Sequence, residues 1–75
     1  MRDLVEYLTR SLVSQPDAVQ VEEVEAGRVT VYEVSVAEED VGKIIGRQGK
    51  VIRSIRTVVK AAATRAGTRV DVDVV

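Results

Sequence analysis

The residues that could do chemistry lie together in Ile44-Ile45-Gly46-Arg47-Gln48-Gly49-Lys50-Val51-Ile52. Two glycines flank Arg47 and Gln48, with Lys43, Lys50 and Arg53 close by. Glycine has no Cβ, so the backbone at such a position can press close to a ligand. A helix that begins after the second glycine points its unpaired N–H groups, and the positive end of its dipole, into the same loop. Arg47 and Lys50 add cationic side chains and Gln48 a neutral donor. This combination suits a phosphate or another anion.

Other chemistry is poorly supplied. The chain has no cysteine and no histidine, so the common nucleophile–base pairs and zinc ligand sets are missing. Ser11, Ser14, Ser35 and Ser54 have no evident base. Gly46-Arg47-Gln48-Gly49-Lys50 lacks the spacing of a P-loop, which disfavours nucleotide hydrolysis. Glu38, Glu39 and Asp40 resemble a cation site, but acids in the first turn of a helix explain them. The expectation is a binding protein without metal or cofactor, not an enzyme.

Charge supports an anionic ligand. The net charge of −1 conceals two opposed segments. Residues 1–42 carry three basic and ten acidic side chains, a net of −7, whereas residues 43–69 carry eight basic side chains and no acid. The glycine loop opens this acid-free basic run. Patchy charge of this kind says more about partners than the total does.

The elements that must position the loop are legible from periodicity. Seventy-five residues make one small domain, read here as residues 1–75. Leu4, Val5, Leu8, Leu12 and Val13 recur at helical spacing, predicting an amphipathic helix over 3–14 with Asp3 as its cap and Glu6 closing a capping box. Val19 to Val36 reads as a β-hairpin turning at Ala26-Gly27, with Tyr32, Val34 and Val36 on one face. Each strand slips phase once, predicting a bulge or burial on both faces. A short helix from Glu38 stops at Gly46. A longer one begins near Lys50, buries a broad stripe through Val51, Ile52, Ile55, Val58, Val59, Ala62, Ala63 and Ala66 with Arg53, Arg56 and Lys60 off it, and is capped by Gly67. Val70, Val72 and Val74 alternate with acids in a last strand. The order is α-β-β-α-α-β. The helical crossover predicts that the last strand lies parallel to the second, in a three-stranded mixed sheet with the helices on one face.

With the loop placed between two helices after a strand, Ile45, Gly46, Gly49 and Ile52 supply the Ile-Gly-x-x-Gly-x-x-Ile signature of the KH domain, which the chain resembles over its whole length. The element order resembles the type II form, an α+β fold. Val41 to Lys50, continued by Ile55-Arg56-Thr57, is similar to the small stand-alone bacterial KH proteins of the KhpA type. The resemblance implies single-stranded RNA held over about four nucleotides, weakly and with little sequence choice. It also implies work as an RNA chaperone or post-transcriptional regulator. On this reading the binding residues are Lys43, Ile44, Ile45, Gly46, Arg47, Gln48, Gly49, Lys50, Ile52 and Arg53. Ile44, Ile45 and Ile52 would offer aliphatic surface to bases, with packing in the core as the main work of Ile45 and Ile52.

The rival reading is a protein-interaction module. Ala61, Ala62, Ala63 and Ala66 would let another helix approach closely, either the first helix of the same chain or a second copy. The resembled family implies self-association and pairing with a KhpB-type KH protein. No signal-peptide pattern or apolar span is present, so a cytoplasmic protein with no membrane association is expected.

Overall fold

The computed structural model describes residues 1–75. Helix α1 spans Arg2–Leu12. It buries Val5 and Thr9, and the Thr9 hydroxyl is satisfied by donating to the Val5 carbonyl at 2.8 Å. The expected capping box is not formed. Asp3 sits in the first turn without a capping bond, and Glu6 pairs with Arg10 one turn on.

Strands β1 (Gln20–Ala26) and β2 (Val29–Ser35) form an antiparallel hairpin. Only Gly27 of the two turn residues has positive φ, the pattern of a type II′ turn. The pairing runs unbroken from Gln20↔Ser35 to Ala26↔Val29, so there is no bulge. The phase slip has another cause. Val24 faces Val31 on the side of the sheet away from the helices, while Val21, Tyr32 and Val34 face the core. Val24 is 38% exposed there, so valines on the open face, and not burial on both faces, break the alternation.

The chain then makes a 3₁₀ turn over Glu38–Asp40 and enters α2 (Val41–Ile45). After the glycine loop, α3 (Lys50–Ala66) leads through Gly67 to β3 (Val70–Val74). β3 pairs parallel with β2, which makes β2 the centre of the sheet and β3 an edge. The architecture is the expected mixed three-stranded sheet with helices against one face. α3 supplies Ile52, Ile55, Val59 and Ala63 to the core, opposite Tyr32, Val34, Val70 and Val72 from the sheet. The buried stripe is narrower than expected, because one face of α3 has no element packed on it: Val51 and Ala62 are half-buried, and Val58 and Ala66 are exposed. Of the alanines read as a contact surface, Ala63 is buried in this core, whereas Ala61 and Ala66 are exposed.

Asp40 behaves differently from its neighbours. Its side chain is fully buried, not displayed on a helix first turn. Its carboxylate accepts from the Ser14 N–H and hydroxyl at 3.0 and 2.8 Å and from the Gln15 N–H at 3.1 Å. These bonds tie the end of α1 to the start of α2. They hold its pKa below the ordinary value. The Ser14 N–H is the largest influence, burial opposes it, and the Ser14 hydroxyl, the Gln15 N–H and Lys43 assist.

Candidate nucleic-acid interface

The loop between α2 and α3 is built around backbone conformations that most residues avoid. Gly46 has φ 75° and ψ 172°, a region open to glycine and almost nothing else. A Cβ there would collide with Val51, whose backbone nitrogen and Cβ would each lie 2.8 Å away. The first turn of α3 therefore packs directly on Gly46. Gly49 is left-handed at φ 75° and ψ 17°, but a Cβ there would meet open space. Gln48 is the one non-glycine residue with positive φ, at 57°. Holding an L-residue there costs roughly 1–2 kcal/mol. Two successive left-handed residues thus turn the chain outward at the tip.

Bonds at both ends hold the loop. The Gly46 N–H closes α2 on the Gly42 carbonyl at 2.8 Å, and the Gly49 N–H reaches the Gly46 carbonyl at 3.1 Å. Arg53, one turn into α3, donates from Nη2 to the Gln48 carbonyl at 3.0 Å. No side chain caps the N-terminus of α3. Its dipole consequently faces the loop without an internal anion.

The expected site residues separate into three groups. Arg47, Lys50 and Arg53 have no acid within ion-pair distance, so their charge is free to face a ligand. Lys43 is exposed but lies 3.6 Å from the Asp40 carboxylate, which draws on its charge. The isoleucines need correction. Ile44 is fully buried and presents nothing to a base, whereas Ile45 is 39% exposed and belongs to the surface, not the core. Ile52 is a core residue whose edge reaches a groove.

That groove is shallow, about 210 Å³, and runs from the loop to the free edge of β3. Ile45, Ile52 and Val74 give it an aliphatic floor, and Arg56 and Asp73 its polar wall. Sequence reasoning set Arg56 merely off the apolar stripe of α3. The structure joins it to β3. Its Nε donates to the Val72 carbonyl at 2.7 Å, and its guanidinium lies 3.5 Å from Asp71 and 3.6 Å from Asp73. The alternation of aspartates along β3, at an edge that α3 approaches after the crossover, is the signal that could have found this wall.

Comparison with known proteins agrees with this geometry. A family model described as "KhpA/KhpB, KH domain" matches residues 2–74. The chain is 47% identical over 75 residues to the RNA-binding protein KhpA of Clostridium acetobutylicum, covering all of both chains. It is 44% identical to that of Caldanaerobacter subterraneus, again over the full length of both. For Chlamydia pneumoniae KhpA the identity is 38% over 74 residues, 99% of this chain and 95% of the relative. Among solved structures, Aquifex aeolicus Era bound to GDP and aluminium fluoride superposes with a TM-score of 0.70 at 19% identity. Era in complex with a nucleotide and a segment of 16S ribosomal RNA gives 0.67, also at 19% identity. This chain covers 96% of its own length but only 28% of either Era chain, and the likeness there is one of fold. The described names of the KhpA relatives denote binding, in keeping with a chain that lacks the usual catalytic pairs. Loop, element order and full-length relatives converge: the chain belongs to the KhpA/KhpB family of KH-domain proteins.

Proposed function

We infer that the chain binds single-stranded RNA, with the Gly46–Gly49 loop against the phosphate backbone and the bases directed along the groove toward β3. The observation that carries this reading is the loop itself. Its backbone lies open at Gly49, it fronts the uncapped N-terminus of α3, and Arg47 and Lys50 beside it have no acidic partner. KhpA relatives along the whole chain are named RNA-binding proteins, which supports the same ligand. No helix is long and apolar enough to cross a membrane, and the proposed setting is the cytoplasm. The role is that of a single-domain RNA chaperone or post-transcriptional regulator.

Backbone contacts give affinity with little sequence information. With about three to five phosphates contacted, log affinity should fall against log salt at a slope near −0.7 per phosphate. Converting both Arg47 and Gln48 to Asp should abolish binding of a labelled single strand in fluorescence anisotropy, while the melting temperature stays near that of the wild type. RNA affinity that survives this change removes the loop as the site.

One observation favours association with another protein beside RNA binding. Leu8 and Leu12 of α1 and Val51, Ile55 and Val58 of α3 line an apolar groove of about 360 Å³. Leu12 and Val58 are nearly half exposed. Exposed apolar surface of this kind marks contact sites. We assign to it a second copy of the chain or a KhpB-type KH protein, and a pair of domains would raise RNA avidity. The contact is thus displaced from the alanines to the opposite half of α3. Light scattering across concentration tests the homodimer; a strict monomer at high micromolar concentration leaves only the heteromeric partner.

A further inference from the structure

The two edges of the sheet differ in what is left unpaired. At the outer edge of β3, side chains close the backbone. The Val72 N–H donates to Asp71 Oδ1 at 2.8 Å and the Val74 N–H to Asp73 Oδ1 at 3.0 Å, while the Val72 carbonyl accepts from Arg56 Nε at 2.7 Å. β1 has no such cover. Its backbone pairs with β2 alone, and no other hydrogen bond reaches it. The two-residue turn makes Ala26↔Val29 a bonded pair, so bonded pairs recur at Val24↔Val31, Glu22↔Glu33 and Gln20↔Ser35. The N–H and C=O groups of Val21, Glu23 and Glu25 therefore point outward. Only Val21 of this strand is buried. Such a row of free backbone groups is a template for another strand.

Charge decides what that strand can be. β1 carries Glu22, Glu23 and Glu25 and no basic residue. Glu22 lies on the open face of the sheet directly opposite Glu33, which in turn faces Asp73. Three carboxylates thus stand in one cross-strand row, and Glu22 and Glu33 have no cation within ion-pair distance. Like charges directly opposite one another destabilise a sheet. Glu23 and Glu25 line the other side of the strand, where Arg2 meets Glu23 alone, at 3.7 Å. A second copy of β1 would set glutamates against glutamates, and RNA would add negative charge. An extended segment with lysine or arginine on both faces satisfies the free backbone and the carboxylates together. Val24, on the open face beside Glu22, offers it one apolar contact. We propose that the outer edge of β1 is a strand-addition site for a basic, extended segment of a partner protein. This surface is separate from both the glycine loop and the apolar groove of α1 and α3.

Hydrogen exchange of the full chain tests this, because the Glu23 and Glu25 amides have no internal partner to protect them. The probe is an acetylated peptide as long as β1, built of lysine–lysine–valine repeats that place lysines on both faces. At about ten times its Kd, exchange at both amides should slow about tenfold, since only about a tenth of the chains stay open. The same peptide with its backbone nitrogens methylated keeps the charge but cannot donate to β1. A glutamate–glutamate–valine peptide keeps the backbone and reverses the charge. Neither should protect. Glu22→Lys combined with Glu25→Lys should weaken the lysine peptide about fivefold or more, the scale of reversing two exposed charges, with the melting temperature near wild type. No protection at about 1 mM lysine peptide, the weak end of specific binding, overturns the inference. So does equal protection by the glutamate peptide, or equal affinity for the methylated one, which would mean attraction of charge alone. Protection that grows with protein concentration and no peptide puts a second copy on the edge and overturns it as well. Should the double variant not fold, the three peptides still decide.

Discussion

Three glycines near the loop should respond to alanine in three different ways, because their surroundings differ. Gly42 lies inside α2, and a Cβ there would meet nothing within 4 Å. Gly42→Ala should stabilise the protein by about 0.5–1 kcal/mol, the helix-interior difference between the two residues. Gly49 has the same open space but a φ of 75°. Gly49→Ala should cost about 1–2 kcal/mol, the left-handed penalty alone. Gly46 combines a glycine-only conformation with direct contact against the Val51 backbone. Gly46→Ala should cost about 1–3 kcal/mol for strain and about 1–3 kcal/mol more for displacing α3. A domain of this length is stable by roughly 4–11 kcal/mol, so Gly46→Ala removes a large share and leaves a weakly folded protein. Urea unfolding followed by circular dichroism measures all three. The predicted order of stability is Gly42→Ala, wild type, Gly49→Ala, Gly46→Ala. If Gly46→Ala costs no more than Gly49→Ala, the close packing of α3 on Gly46 is wrong.

Ile44→Ala should destabilise by about 2–5 kcal/mol as a core truncation, whereas Ile45→Ala should change stability little and weaken RNA binding; urea unfolding and anisotropy on the pair separate the two roles. Asp40 titrates below the ordinary aspartate value of 3.8 when folded. The unfolded chain then binds more protons than the folded one in that window, so stability rises with pH. The contribution is complete above about pH 5 and is lost as pH falls through 3.8 toward the lowered folded value. Asp40→Asn should lower the melting temperature at pH 7 and flatten this acid limb in a pH series of thermal melts. Lys50→Ala should weaken RNA binding at low salt and reduce the salt slope by about 0.7, read by anisotropy from low to moderate salt. Leu12→Asp should leave the melting temperature near wild type, since Leu12 is already half exposed, and abolish any dimer seen by light scattering.

Much of this was legible in the residues because the strongest local signals and the fold agree. Gly46 and Gly67 stop helices where their positive φ requires it, and the valines of β3 follow a helical crossover that leaves parallel pairing as the simple outcome. The misreadings have physical reasons. Ile44 and Ile45 are neighbours on a helix of five residues, too short for its phase to show which one faces inward. Successive helical residues point about 100° apart, so only one of the pair can enter the core. Asp40 looked like its acidic neighbours, because nothing local records that the Ser14 and Gln15 N–H groups need an acceptor after α1 ends. Arg56 and Asp73 are far apart in sequence and meet only when β3 returns along α3. Contacts made by the crossover are invisible to periodicity. They supply the wall of the groove.

The central claim is that RNA backbone lies on the Gly46–Gly49 loop. Amide chemical shifts of the labelled protein, followed as a short single-stranded RNA is added, test it most directly. The account predicts the largest shifts at Gly46 to Lys50 and the first turn of α3, with smaller ones at Ile45, Arg56 and Val74. Shifts centred instead on the open sheet face around Val24 and Val31, or on the apolar groove of Leu8, Leu12 and Val58, would contradict it.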